Sequence, residues 1–224
     1  MPLKATGHAT FDPDDRWDGG TTWIAHPEES MQRASHALVV AGDVWLVDPV
    51  DAEGLDDHLA DVGDVAGVVV LLDRHKRDAD TIALRHDVPV SIPEWMDGVA
   101  EEMTAPVERF GTTLADTYTV YPLTNSRFWQ EAALYDEDEG TLVIPEAVGT
   151  ASYFRTGGER IGVHPMLRLR PPRRLWEFSP ERVLVGHGEP VVTDASDALA
   201  DALDGARRRT PALYFDAAKD FVFG

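Results

Sequence analysis

The chain has 224 residues, no cysteine, and 40 acidic against 20 basic side chains, for a formal charge of -20 with 43% hydrophobic residues. That apolar content excludes an intrinsically disordered chain. The lack of cysteine excludes a disulfide framework, a thiolate metal site and a cysteine nucleophile, so any metal must be held by His, Asp or Glu.

The acidic lead-in, 1–20, is rich in turn signals (Asp12-Pro13-Asp14-Asp15, Asp18-Gly19-Gly20), and a short strand is expected at Thr21 to Ala25. Ser35 to Val40 and Val44 to Pro49 read as a hairpin about a Gly-Asp turn. A helix is expected from Leu55 to Val62, then a strand buried on both faces at Gly67 to Leu72. After a polar loop come a short helix at Asp78 to His86, a strand at Val88 to Ile92 and a helical stretch at Glu94 to Met103. Tyr118 to Leu123, Phe128 to Tyr135 and Thr141 to Pro145 form a meander. Helical structure is expected at Ala147 to Phe154 and Leu175 to Phe178, and a strand at Arg182 to Val185, followed by the loop Gly186-His187-Gly188. The last helix, Asp194 to Arg209, has Thr193 as its expected N-cap, Asp194 and Asp197 in its first turn and Arg207 to Arg209 in its last, which complements the helix dipole. The apolar Leu213-Tyr214-Phe215 and Phe221-Val222-Phe223 predict a C-terminal segment, 210–224, docked on the body or on a second copy in a homodimer. The elements make one mixed α/β domain over 1–224 with helices covering sheets.

Of the 40 acids 25 are Asp, and only Lys4, Lys76 and Lys219 are Lys. This resembles a halophile's protein, in which concentrated salt screens self-repulsion. A field of this sign repels phosphate backbones, so no nucleic-acid partner is expected. No apolar run approaches the roughly 20 residues of a membrane span, and the first residues lack a signal-like apolar region, so no membrane association and a cytoplasmic location are expected.

Three segments together resemble the metallo-β-lactamase superfamily, from about Ser35 to Leu203. Ser35 to Pro49 is similar to that family's opening hairpin, ending in an Asp, Asp48, that supports the metal loop. Asp73 to Ala79 falls where the family has His-x-His-x-Asp-His. Pro145-Glu146-Ala147 falls where a bridging carboxylate is usual, and Val185 to Pro190 is similar to the late Gly-His loop. The resemblance implies an α/β four-layer αββα sandwich with its site at one edge of the two sheets. The chain departs from the pattern at Arg74 and Lys76, which stand at two His positions, at Ala79, which stands at the third, and near Leu123 to Ser126, where no His occurs. What the resemblance leaves is Asp78, Glu146 and His187, a set for one zinc, manganese or iron ion; with the dinuclear set broken, no cofactor is the first expectation. His75 lies one residue off the family's register, where a slip of the loop would turn it inward; the preferred reading is a loop residue facing solvent, with His86 capping carbonyls at a helix end.

Glu146 is expected to pair with Arg74 or Lys76. Arg74, Lys76 and Arg77, with Arg168 and Arg170 from the run His164 to Arg174, are the candidates for binding a small anionic ligand. The other reading of the run is pairing with surface acids. No Gly-x-Ser-x-Gly elbow and no Gly-rich phosphate loop occurs. Two functions follow. One is a metal-free binding or interaction protein for a small anion. The other is a single-metal hydrolase of an ester, phosphoester or thioester.

Overall fold

The computed structural model describes residues 4, 5, 9 and 13–223, and the side chains of 4, 5, 9 and 16–215 among them. A seven-stranded sheet runs in chain order through β1 (Pro13–Trp17), β2 (Gly20–Ile24), β3 (Ala34–Val40), β4 (Asp43–Val47), β5 (Asp64–Val69), β6 (Val90–Pro93) and β7 (Val107–Phe110). Its first four strands are antiparallel and its last four parallel. The β3–β4 turn is Ala41-Gly42, both at positive φ (54° and 96°), the two-residue turn whose twist suits a hairpin. α1 (Leu55–Ala60) and α2 (Ala79–His86) link parallel strands and pack on this sheet, and α3 (Asp97–Ala100) follows β6. The second sheet has the order β14-β11-β10-β9-β8, from β8 (Thr113–Leu114), β9 (Tyr118–Ser126), β10 (Trp129–Asp136), β11 (Thr141–Ile144) and β14 (Arg182–Val185), with β11 and β14 parallel. β12 (Val148–Gly149) and β13 (Gly162–Val163) form a small ribbon, and α4 (Ala195–Phe223) covers the second sheet.

Two apolar clusters explain the layering. One joins the inner faces of both sheets, through Trp23, Leu38, Leu46, Val68, Leu134, Val143 and Leu184, and continues to Leu55, Leu59 and Ile82 on α1 and α2. The other joins the outer face of the second sheet (Leu142, Ile144, Val183, Val185) to Leu199, Ala202, Leu203 and Ala206 of α4. Helix, sheet, sheet and helix thus stack as the sandwich expected.

Several expectations are corrected. The acidic lead-in contains the edge strand β1, which pairs with β2; residues 1–3, 6–8 and 10–12 of it lie outside the described residues. Ala147 to Phe154 is not helical: the N–H groups of Thr150 and Ala151 both go to the carbonyl of His187 rather than back along their own chain. Glu94 to Met103 shortens to α3. Thr193 does not cap α4, since its hydroxyl and carbonyl accept from Arg160 while the Asp194 carbonyl accepts from Ala198. α4 also runs through Pro211, keeping Leu213 buried on the same stripe as Leu199, Ala202 and Ala206, while Tyr214 and Phe215 are exposed. The side chains of Phe221, Val222 and Phe223 lie outside those described.

Candidate functional site

The carboxyl ends of the parallel strands β4, β5, β11 and β14 meet at one edge of the sandwich, where an open α/β sheet characteristically presents its ligand residues. Each end delivers one group. β4 ends at Asp48, which sits at φ 46°, a left-handed turn that Asp tolerates. Its Oδ1 accepts from the N–H of Leu71 and so fixes the chain leaving β5. That segment is pinned on its other side by the Ala132 N–H to Leu71 carbonyl bond and the Asp73 N–H to Gln130 carbonyl bond, both to β10. Held between the two sheets, the loop turns His75 inward, where it is 5% exposed.

β11 leads to Glu146, 8% exposed, whose N–H and that of Ala147 are both held by Oε1 of the fully buried Glu131 at 2.7 Å. Oε2 of Glu131 takes the Trp129 indole N–H at 2.8 Å. β14 leads through Gly186 to His187. A side chain at Gly186 would put its Cβ 2.2 Å from the Pro145 carbonyl oxygen and 3.0 Å from His75 Cε1, so glycine is what permits this close approach. The loop is stitched to residues 32–34 by the Ala34 N–H to Gly186 carbonyl and Gly188 N–H to Gln32 carbonyl bonds. His187 is 2% exposed and stacks on Phe154, ring centres 5.3 Å apart.

His75, Glu146 and His187 place one ligand atom each within 4.8 Å of one another. Nε2 of His75 lies 3.1 Å from Nε2 of His187 and 3.9 Å from Oε2 of Glu146. The partners of the other ring nitrogens assign the protons. His187 Nδ1 lies 2.9 Å from the Met31 carbonyl, which only accepts, so Nδ1 carries the hydrogen and Nε2 a bare lone pair. His75 Nδ1 lies 3.0 Å from Asp48 Oδ2. Burial, then the nearby Arg77, holds the His75 pKa well below the usual value; burial, then His75 and Arg77, does the same for His187. Both rings are therefore neutral, and with Asp48 ionised the Nε2 lone pairs face each other, that of His75 with a long contact to Arg77 Nη2 at 3.5 Å. Burial pushes Asp48 up to about 6 against the opposing pull of Arg77. A shared proton or a cation between the two nitrogens satisfies such a pair.

Around the cluster stand cations and rings. Arg74 donates to Glu146 Oε2 (2.9 Å) and to the Phe128 carbonyl (3.3 Å), with its guanidinium 4.2 Å from the Trp129 ring centre. Its pairing with Glu146 is as expected, and at 41% side-chain exposure it forms the solvent side of the site. Arg77 donates to the carbonyls of Ala34, Asp48 (2.7 Å) and Gly186 (2.9 Å), with Nη2 3.5 Å from His75 Nε2. It clamps three chain segments together; its terminal nitrogens are spent on these groups, and its Nε is buried without a partner among the described residues, so none is open to an anion. His164, 5% exposed, accepts the Met166 N–H at Nδ1, which leaves the hydrogen on Nε2, 3.6 Å from Glu146 Oε1.

The other expected residues fall elsewhere. Asp78 turns to the N–H of Asp51 (2.9 Å) at the start of α2 and is not part of the cluster; His75 takes the place assigned to it, and the reading of His75 as solvent-facing is wrong. Lys76 pairs with Glu102 (3.0 Å) and the Asp73 carbonyl. Arg168 is fully buried and bound to Glu159, so no anion can reach it. Arg170 lines a separate cavity. His86 pairs with Asp56 rather than capping carbonyls. In the sequence His164 is marked only by its place in the arginine-rich run.

The residue set suits a divalent ion. Two imidazole nitrogens and one carboxylate, with each imidazole held from behind by an acceptor, is the donor chemistry of catalytic zinc sites that keep a position open.

No protein-family model and no curated protein matches the chain. Solved structures do. A metallo-β-lactamase from Hirschia baltica aligns at TM-score 0.59 and 12% identity, over 88% of this chain and 98% of that one. The metallo-β-lactamase FIM-1 from Pseudomonas aeruginosa, solved in its mono-zinc form, aligns at TM-score 0.54 and 11% identity, over 91% and 97%. Rubredoxin oxygen:oxidoreductase from Desulfovibrio gigas aligns at TM-score 0.61 and 15% identity, over 89% of this chain and 62% of that one.

Proposed function

We propose that this chain of metallo-β-lactamase fold is a single-metal hydrolase of a small anionic ester, phosphoester or thioester, with the ion held by His75, Glu146 and His187. One observation carries the reading: the two Nε2 lone pairs, 3.1 Å apart, each fixed in place by an acceptor on the opposite ring nitrogen. When bound there, a zinc, manganese or iron ion supplies Lewis-acid polarisation of an acyl or phosphoryl oxygen and activation of water.

The chain's own residues do the rest. Asp48 holds the Nδ1 proton of His75, and the Met31 carbonyl that of His187, so both rings present Nε2. Glu131 fixes the backbone of Glu146 through two N–H bonds. Trp129, Phe154 and Tyr153 pack against His164 and keep water from the inner side. Charge then points to the substrate. Asp48 and Glu146 balance Arg74 and Arg77, so a divalent ion brings a net excess of positive charge that an anionic substrate neutralises. Arg74, at the exposed side, is the group such an anion meets first.

Metal content by plasma mass spectrometry, on untagged protein purified in high salt, tests this. About one equivalent is expected, retained in Asp78→Ala and lost in His187→Ala and His75→Ala; wild-type protein that stays metal-free after incubation with zinc, manganese and iron overturns it. The 2.9 Å Arg74–Glu146 pair favours a second reading, in which the chain binds a small anion without metal. That reading expects a metal-free protein whose sulfate or phosphate binding is lost in Arg74→Ala.

A further inference from the structure

On an Asp-rich surface, α4 and the 3-10 helix Arg173–Glu177 enclose a cavity of about 410 Å³ with no acidic wall. It is lined by Arg170, Pro171, Arg173, Trp176 and Arg207. Arg207 gives its Nε–H to the Leu169 carbonyl (2.7 Å), and its terminal nitrogens bond no described residue. The side chains of Arg170 and Arg173 make no hydrogen bond or ion pair with any described residue. Three nearby arginines are paired instead: Arg174 with Glu177, Arg168 with Glu159 and Arg209 with Asp201. In a chain with twice as many acids as bases, unpaired guanidinium groups converging on one cavity run against the average of the surface.

We propose that this cavity is a binding site for a small phosphorylated molecule carrying a planar ring, of which a nucleoside monophosphate is the simplest case. Guanidinium forks match the oxygens of a phosphate in paired hydrogen bonds, and two or three of them neutralise its charge. Trp176 supplies the other half. Its indole N–H is tied to Asp204 (3.2 Å), which holds it by the edge, and at 47% exposure it offers surface on which a planar ring stacks. The volume lies in the range of small-molecule sites. The net charge of -20 disfavours a long phosphate backbone and so selects a small ligand over a nucleic acid. The site shares no residue with the His75 cluster and needs no metal.

The test is isothermal titration calorimetry on the full chain at one fixed KCl concentration with a chelator present, using adenosine monophosphate, inorganic phosphate and adenosine as separate probes. Adenosine monophosphate is expected to bind at least about 10-fold more tightly than either fragment. Arg170→Ala/Arg173→Ala, which removes side chains that hold nothing else, weakens it about 10-fold or more, and Arg173→Glu does the same. Trp176→Ala brings the monophosphate down to the affinity of phosphate, and Arg155→Ala, at an exposed arginine elsewhere, leaves binding unchanged. A monophosphate that binds no better than phosphate, or equally in the wild type and both arginine variants, overturns the proposal.

Discussion

Asp48 grips His75 from behind, Oδ2 to Nδ1 at 3.0 Å, while its other oxygen takes the Leu71 N–H at 2.9 Å. One carboxylate thus sets both the path of the loop and the tautomer of the ring. Asp48→Asn keeps the shape but offers His75 either a neutral acceptor or a competing donor. Its metal affinity, measured by competition with a chromophoric chelator, is expected to fall about 10- to 100-fold, the usual cost of losing such a support. Unchanged affinity would mean that Asp48 serves the loop alone.

Arg74 and a metal ion compete for Glu146. Because the guanidinium side chain is 41% exposed, the pair is screened and its net worth small. Arg74→Ala is therefore expected to leave the melting temperature nearly unchanged and to raise metal affinity by roughly 3- to 10-fold, a gain of about 1 kcal/mol. It should also weaken an anionic substrate, seen as a higher KM with kcat little altered. A loss of metal in this variant would show that Arg74 positions Glu146 rather than opposing its use.

His36 lies in β3 with its Nδ1 2.9 Å from the Thr22 hydroxyl, and burial holds its pKa down at about 3, with the Asp48 charge opposing. A depressed histidine contributes stability above its unfolded value near 6.5 and loses it as pH falls from there towards 3, by about 1.4 kcal/mol per pH unit. Burial lifts Asp48 to about 6 and Glu131 to about 7, and these buried acids act in the opposite sense over the same range. The contribution of His36 is therefore read as a difference. Between pH 6.5 and 4 the urea stability of the wild type should fall more steeply than that of His36→Gln, and parallel curves would refute the assignment.

Arg168 and Glu159 form a fully buried pair with bonds at 2.6 and 3.2 Å, and Arg168 also donates to the carbonyls of Phe154 and Val163. Arg168→Met strands a buried carboxylate and should cost about 3–5 kcal/mol in urea unfolding. Because Phe154 is the ring stacked on His187, the same variant should also bind metal more weakly under conditions where it is still folded. Stability close to wild type would show that Glu159 finds other partners.

Much of the fold was legible because its signals are local. The β3–β4 hairpin, the apolar run into β5, α2 and the β9–β10–β11 meander each carry their own period and their own turn. Glu146 and His187 were legible through the resemblance, each lying two residues beyond the end of a strand, β11 or β14. His75 was not. Counting along the loop aligned Asp78 with the family's Asp and left His75 out of register, whereas its true direction is set by Asp48, by Gln130 on the second sheet and by Arg77 at φ 42°. The clue lay in Asp48 itself, a buried acid at a strand end that needs a partner. His164 was hidden differently: it reaches Glu146 by way of the β12–β13 ribbon, two short pairings that leave no periodic trace.

His75 and His187 stand 112 residues apart in sequence and 3.1 Å apart in space. During synthesis at roughly 5–20 residues per second, the earlier histidine waits about 6–22 s for its partner. Through that interval the loop between β5 and α2 can be held by Asp48 and then by β10, but no nascent fragment ending before Gly186 can assemble the three-residue cluster. For the proposed metal site, the order of the chain sets the earliest moment at which all three ligands can meet. An ion captured earlier would have to leave its first ligands or pull the last strand in around it.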